Sequence, residues 1–341
     1  MIVRDFANGF SVADWTEELV YIPNSWGTIG QLGIFQEEGV AEHVVIFEEI
    51  LQNGALIVDR VRGDRGNVGK DYSRKLHTFA VPHFPAVDYI TPQDIQGKRA
   101  YGDPSSADTL DAVRMRKMER IRREHAWTLE AARAQAITAG TVYAPNGTVS
   151  QNWYSEFGKS LTTVDFTFGT STADMISKGE AGIAAIQDNA GSSTQMTGVV
   201  ALCSPTFFAN LISHPSAKTA YQYFASTQDP LRNRLAPNGS AAAMHREFSY
   251  GGVLYVELRD AYNGVPLIPA GYAYMLPTGT DVFRTFFGPA NKFALANTIG
   301  EPAYFFEYAD PKGERIEIES ESNFVNALYR PELVIALHSS N

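Results

Sequence analysis

One stretch limits the architecture more than any other. Residues 107–139, ADTLDAVRMRKMERIRREHAWTLEAARAQAITA, carry an unbroken helical pattern. Leu110, Val113, Met118, Ile121, Leu129, Ala132 and Ala136 fall on one broad face at helical spacing, and His125 lies on the same face. Asp108 is placed to cap the start, Asp111 lies near the positive N-terminal end, and Gly140 is placed to stop the helix. At a rise of 1.5 Å per residue such a helix runs to roughly 50 Å, whereas the average globular helix has about 11–12 residues. It spans a whole domain, so the rest of the chain must be arranged along it as along a spine.

The flanking sequence is rich in strand patterns. HVVIFEEILQNGALIVDRV, from His43 to Val61, reads as β-structure turning at Asn53-Gly54. VRGDRGNVGKDYSRK then sets Arg62, Arg65, Lys70, Arg74 and Lys75 among three glycines, with Arg60 just before it. KLHTFAVPHF alternates back toward a strand, in which Pro82 and Pro85 suit only an edge or exit position. The pattern predicts long strands projecting outward, with residues 62–71 as a charged tip. Ahead of them, residues 1 to about 30 hold Trp15 and Trp26 among polar residues and turn signals. Such an arm is poorly suited to fold alone, and its aromatics point to docking on something else.

After the helix, Pro145-Asn146-Gly147 reads as a hairpin turn and LTTVDFTFG as a strand. A helix is expected over about Thr172 to Asn189, then a buried strand in GVVALCSP. TFFANLISHPSAKTAYQYFA is amphipathic and helical, with Pro215 able to divide it. Two strands follow, with turns at Gly251-Gly252 and Asn263-Gly264. Strands alternating with helices imply a compact α/β subdomain. AYFFEYADPKGERIEIESES reads as two strands joined at Asp310–Gly313, and a last strand follows Pro331.

Tests for reactive chemistry find little. A phosphate-binding loop needs four residues between its first glycine and the Gly-Lys pair, then Ser or Thr. Gly63 to Gly69 leaves five, and Asp71 stands where the hydroxyl belongs. Arg62-Gly63-Asp64 matches an adhesion tripeptide without any extracellular signature around it. His43, His77, His83, His125, His214, His245 and His338 fall at no metal-ligand spacing, and neither G-x-S-x-G nor H-E-x-x-H occurs. No catalytic, cofactor or metal residue is therefore expected. The lone Cys203 permits no intrachain disulfide and fits a reducing cytoplasm. The first residues lack a signal-peptide pattern, and no run reaches the roughly 18 apolar residues of a membrane span.

A net charge of −10 argues against a protein whose whole surface grips nucleic acid. The charged face of the long helix, with Arg116, Arg120 and Arg123 beside Lys117 and Arg122, has two readings. It is a solvated face with Arg120–Glu124 attracting and Arg116–Arg120 repelling, or an interface to acidic neighbours or a packaged polyanion. Alternating Glu residues in EIES read as one solvated strand face.

The order of elements carries more than any motif. YITPQDIQGKR leads into RMRKMERIRREHAWTLEAARAQAITAG and the hairpin TVYAPNG; then come GVVALCSPTFFANLISHPSAKTAYQYF and the closing GERIEIESESNFVNALYRPELVIAL. In this order the chain resembles the major capsid proteins of tailed phages, specifically the lambda-like capsid protein E family. The resemblance implies an α+β fold of the Hong Kong-97 type. Its parts would be an N-terminal arm (1–42), an extended β-loop (43–88), a peripheral domain (89–171 and 301–341) on spine helix 107–139, and an axial α/β domain (172–300).

It further implies a shell subunit of the virion that assembles in the host cytoplasm as hexamers and pentamers. The shell would enclose double-stranded DNA, with a separate scaffolding protein, a portal and a decoration protein as partners and no membrane. Subunit contacts would then be made by Arg60, Arg62, Arg65, Lys70, Arg74 and Lys75 at the loop tip and by Trp15 and Trp26 on the arm. The alternatives are an encapsulin-type compartment shell and, in another class, a soluble α/β enzyme of unknown reaction.

Overall fold

The spine is present as α1, Leu110–Ala139, in a computed structural model that describes residues 3–5, 11–14, 27–51, 73–96, 110–190, 194–222, 246–262 and 264–340. Residues 107–109, with the expected cap Asp108, lie outside the described residues. Gly140 ends the helix in the left-handed region, φ +64°, where its N–H donates to Ala136 O at 3.0 Å. Val113, Met118, Ile121, His125, Leu129, Ala132 and Ala136 are buried on one side, as their spacing requires.

Seventeen strands, β1 to β17 in chain order, lie among the described residues. Seven form the sheet that α1 covers: β1 (Val3–Asp5), β2 (Ser11–Asp14), β3 (Gln36–Gly39), β6 (His83–Ile90), β14 (Phe283–Phe287), β15 (Tyr304–Ala309) and β16 (Ile316–Leu328). At 13 residues β16 is the axis of this sheet. Its first half pairs antiparallel with β15 and β6, and its second half with β14. Side chains alternate across a strand. Ile318 packs with Val113, Met118 and Ile121, and Phe324 with Leu129 and Ala132, so the even-numbered positions face α1. The odd positions face away: there Glu317 and Glu319, read as a solvated row, are half-buried, and Glu319 Oε2 meets Lys292 Nζ at 2.5 Å. Glu321 is buried, because the loop 288–303 folds over that face and donates to it through Asn291 N at 2.8 Å. β6 pairs with β16 alone, so Pro85 sits at a position where its missing N–H costs nothing.

β4 (Val44–Leu51) and β5 (Ser73–Ala80) form a separate two-stranded antiparallel ribbon, in register from Val44↔Ala80 to Leu51↔Ser73. The turn expected at Asn53-Gly54 and the tip at 62–71 lie outside the described residues. The excursion was expected to run to residue 88, but the ribbon ends at Ala80. The break at Val81-Pro82 returns the chain to the large sheet as β6.

The second sheet has the order β7 (Thr162–Asp165), β17 (Ile335–His338), β13 (Ala273–Thr278), β8 (Gly198–Cys203), β10 (Val253–Glu257), β9 (Glu247–Tyr250). β8 with β10 and β7 with β17 are parallel pairs. The helices α2 (Met175–Ala190), α3 (Pro205–Ser213) and α4 (Pro215–Gln222) accompany them, and Pro215 divides the last two as its sequence position demands. A short pair, β11 (Ala261–Tyr262) and β12 (Val265–Pro266), completes the set. The largest apolar cluster fills this half and continues through Trp153, Phe79 and Val45 into the root of the ribbon.

Candidate functional site

A chain with a projecting ribbon invites attention at its root. His77 on β5 is fully buried and lies between two carboxylates. Its Nδ1 is 2.8 Å from Glu156 Oε1, and its Nε2 is 3.0 Å from Glu49 Oε2 on β4. Carboxylates only accept, so both contacts are hydrogen bonds when each ring nitrogen carries a proton. Aromatic rings close around the imidazole: Phe157 at 4.7 Å, and Phe47, which itself packs on Phe79 at 4.8 Å and Tyr329 at 4.4 Å. Lys75 Nζ donates to Glu156 O at 2.9 Å, and Gln151 Nε2 to Thr78 O at 3.1 Å. The inner face of the ribbon is therefore clamped to the one-turn helix Trp153–Glu156. Its outer face is exposed and carries Val44, Ile46 and Leu76 beside Arg74 and Thr78. Among the candidate tip residues, Arg74 and Lys75 stand on β5. Arg60, Arg62, Arg65 and Lys70 lie outside the described residues, as do Trp15 and Trp26 of the arm.

Where the arm joins the body, two charged residues of α1 do work that the sequence reading missed. Glu130 Oε1 accepts Ile29 N–H at 2.5 Å and Oε2 accepts Gly30 N–H at 3.3 Å, at the start of the one-turn helix Thr28–Gln31. A Cβ on Gly27 would sit 2.4 Å from the Glu130 carboxyl carbon, so glycine alone permits this approach. Burial pushes the Glu130 carboxyl up to about 7, against the opposing pull of the Ile29 N–H and the Arg133 charge. Arg133, also buried, reaches Glu37 Oε1 at 2.7 Å and Thr285 Oγ1 at 3.2 Å, and Thr285 Oγ1 donates to Asn326 Oδ1 at 2.8 Å. Thr28 Oγ1 donates to Asp260 Oδ2 at 2.8 Å. Residues 27–39 are thus fastened to the spine, to both neighbouring strands and to the second half of the molecule. The only signal in the sequence is that Glu130 and Arg133 fall on the apolar stripe of the helix.

The charged face of α1 is largely answered from within. Arg120 Nη2 meets Asp88 Oδ2 at 2.5 Å and its Nε meets Glu124 Oε1 at 3.7 Å. Lys117 Nζ lies 3.3 Å from Asp88 and 3.5 Å from Asp94, and Arg123 pairs with Glu119. Arg116 is exposed on the same face. Among the described residues no cluster of His, Cys, Asp or Glu could hold a metal ion, and no helix is long and apolar enough to cross a membrane. Cys203 is buried, and its thiol is pushed well up by burial.

Known proteins align with the chain along almost its whole length. The profile of the family described as phage major capsid protein E matches residues 11–339. The major capsid protein of Pseudomonas phage KPP10 is 48% identical over 345 residues, covering 98% of each chain. The major capsid protein of Salmonella phage Felix O1 is 26% identical, again with 98% of each chain covered. Among solved structures, a chain of the mature capsid of bacteriophage PhiM1 superposes with a TM-score of 0.52 at 14% identity, covering all of this chain and 91% of that one.

Proposed function

The chain belongs to the phage major capsid protein E family and is a major capsid protein with the Hong Kong-97-type α+β fold, and from that premise we propose which of its surfaces build the shell. It assembles with copies of itself as hexamers and pentamers into an icosahedral head shell enclosing double-stranded DNA. The extended loop (43–80 with its tip) lies over an adjacent subunit, the arm over another, and the spine-helix half and the axial half form the wall. A scaffolding protein, a portal and a decoration protein act with it during assembly in the host. The role is structural, with no reacting side chain.

The observation that carries this reading is the ribbon β4–β5. Its inner face is clamped through His77, Glu49 and Glu156, and its outer face presents Val44, Ile46 and Leu76 to water. An isolated two-stranded ribbon with an uncovered apolar face is marginal by itself. A neighbouring copy supplies the cover. Of the candidate tip residues, Arg60, Arg62, Arg65 and Lys70 beyond the ribbon and Arg74 on β5 find acidic surface in a chain of net charge −10, while Lys75 also holds Glu156 O within its own subunit. On the spine helix, the charged face bearing Arg116, Arg120 and Arg123 is the candidate contact to a neighbour.

Electron microscopy of the chain expressed alone and with its neighbouring genes tests the proposal. Uniform closed shells are expected; a persistent monomer under both conditions overturns it. Charge reversal at Arg60, Arg62 and Arg65 together is expected to reduce shell yield at least tenfold while leaving the far-UV circular dichroism of the soluble subunit unchanged. Normal shells from that variant would remove the loop tip from the interface.

A further inference from the structure

Three ionisable groups meet where the ribbon β4–β5 leaves the body: His77 on β5, Glu49 on β4, and Glu156 on the one-turn helix Trp153–Glu156. The His77 side chain has no exposed surface, while the two carboxylates stand half-buried at either end of it. A neutral imidazole carries a proton on one ring nitrogen only, and an ionised carboxylate can only accept. With Glu156 Oε1 at 2.8 Å from Nδ1 and Glu49 Oε2 at 3.0 Å from Nε2, a neutral ring would turn one lone pair toward a carboxylate oxygen. The doubly protonated ring makes both contacts hydrogen bonds, and both are then charge-assisted.

Each element packed around the ring contributes to its charge balance. β4 brings Glu49 and Phe47, whose ring stacks on the imidazole at 5.3 Å; β5 brings Phe79 at 6.3 Å, and the end of the one-turn helix brings Phe157 at 4.7 Å. Lys75, two residues along β5, spends its Nζ on Glu156 O at 2.9 Å. Tyr329, from the link between β16 and β17, packs on Phe47 at 4.4 Å, and burial pushes its phenol up to about 12, so it stays neutral. Arg284 lies beyond it, over the Tyr329 ring at 5.6 Å. Full burial opposes a charge on His77, whereas two carboxylates and the aromatic faces favour a cation. The contact also joins separate bodies. The ribbon is a two-stranded sheet of its own, and Glu156 belongs to the body.

We propose that His77 is a proton-operated latch at the ribbon root: with both ring nitrogens protonated it binds β4, β5 and the body together, and loss of one proton frees the ribbon to change its angle to the body. Histidine is the side chain whose charge ordinarily changes between about pH 5 and 8. Deprotonation sets a lone pair against a carboxylate oxygen and favours the open form, so opening grows as pH rises. The remaining ties, Lys75 to Glu156 O and Gln151 to Thr78 O, end on backbone carbonyls and do not titrate with the imidazole. The latch is a property of the single subunit. Only its consequence rests on the shell reading above: a ribbon that changes its angle meets an adjacent copy at a different place.

Hydrogen exchange on the unassembled chain tests it, with rates corrected for the intrinsic effect of pH. A ribbon released from its root is a lone two-stranded hairpin and loses protection. Protection of the β4 and β5 amides is expected to fall at least tenfold from about pH 5.5 to about pH 8, while that of β8 and β13 holds. Glu156→Gln separates charge from shape. Its amide can donate to the bare Nδ1 of a neutral ring whose Nε2–H points at Glu49, so this ribbon is expected to stay protected at the higher pH. His77→Gln is expected to leave the ribbon poorly protected at both, and the ring-nitrogen resonances it removes from the nitrogen-15 spectrum are those of His77. In the parent chain these are expected to report two protonated nitrogens at the lower pH. Equal protection of the parent ribbon at the two pH values overturns the proposal. So does a pH dependence in Glu156→Gln as steep as the parent's, or a singly protonated ring at the lower pH. Shells of the parent chain form or fail independently of these measurements, so the assembly reading and the latch are judged separately.

Discussion

His125 and Glu130 lie five positions apart on α1, both buried, and both ionise only at a cost. Burial holds the His125 imidazole, 2.8 Å from Ser320 Oγ, down at about 4, below its ordinary 6.5. The unfolded chain then binds the extra proton between those values, so His125 makes stability fall as pH drops from 6.5 toward 4. Glu130 acts in the other direction. Its carboxyl, raised from 4.5 to about 7, keeps a proton in the folded state that the unfolded chain has lost, so its contribution is full below 4.5 and declines as pH rises through 7. Each effect is about 3 kcal/mol at most, and over the shared window they largely cancel. Replacing one member unmasks the other. Relative to the parent chain, Glu130→Gln is expected to gain stability as pH is raised from 5 to 7. His125→Gln should show its advantage at pH 5 and lose it by pH 7. Denaturant unfolding at four pH values checks both, and parallel curves for either variant would remove that residue from the balance.

At the scale of the element, the ribbon and the spine end each depend on one position. His77→Ala leaves the Glu49 and Glu156 carboxylates facing a vacated, ring-lined space, and is expected to cost about 3 kcal/mol. Limited proteolysis should then cut between residues 51 and 73 sooner than in the parent chain, while the second sheet resists as before. Gly140→Ala combines a left-handed φ of +64° with a Cβ that would lie 2.3 Å from the Tyr154 ring. A loss of about 2 kcal/mol or more is expected on thermal unfolding.

The elements that set these positions were legible because they follow local rules. The helix period placed Val113, Met118, Ile121 and Leu129 against one sheet, glycines marked the stops, and Pro215 divided two helices. What escaped depends on partners far along the chain. Glu130 and Arg133 sit on the buried stripe only because residues 27–39, from the other side of the ribbon, bring backbone donors and Glu37 to them. Glu321 is buried only because the loop 288–303 crosses it. His77 reads as one more strand histidine until Glu156, 79 positions later, arrives opposite Glu49. No spacing rule reports such meetings.

At the scale of the whole molecule, β16 and β17 are each interior to a sheet although both come late in the chain. β16 lies between β15, β6 and β14, and β17 between β7 and β13. The large sheet lacks its central strand, and the second sheet the strand that joins β7 to it, until the polypeptide beyond residue 316 is available, and the short link Tyr329–Val334 then ties the two halves together within a few residues. Contacts of such wide sequence separation form late and slowly. For a subunit whose task is to join many copies of itself, this is a matter of timing. A nascent chain emerging from the ribosome, with its ribbon already made, has no finished body to offer a neighbour. Copies synthesised side by side on one messenger are thereby kept from locking together half-made, and competence to join the shell comes only once residue 338 has been released.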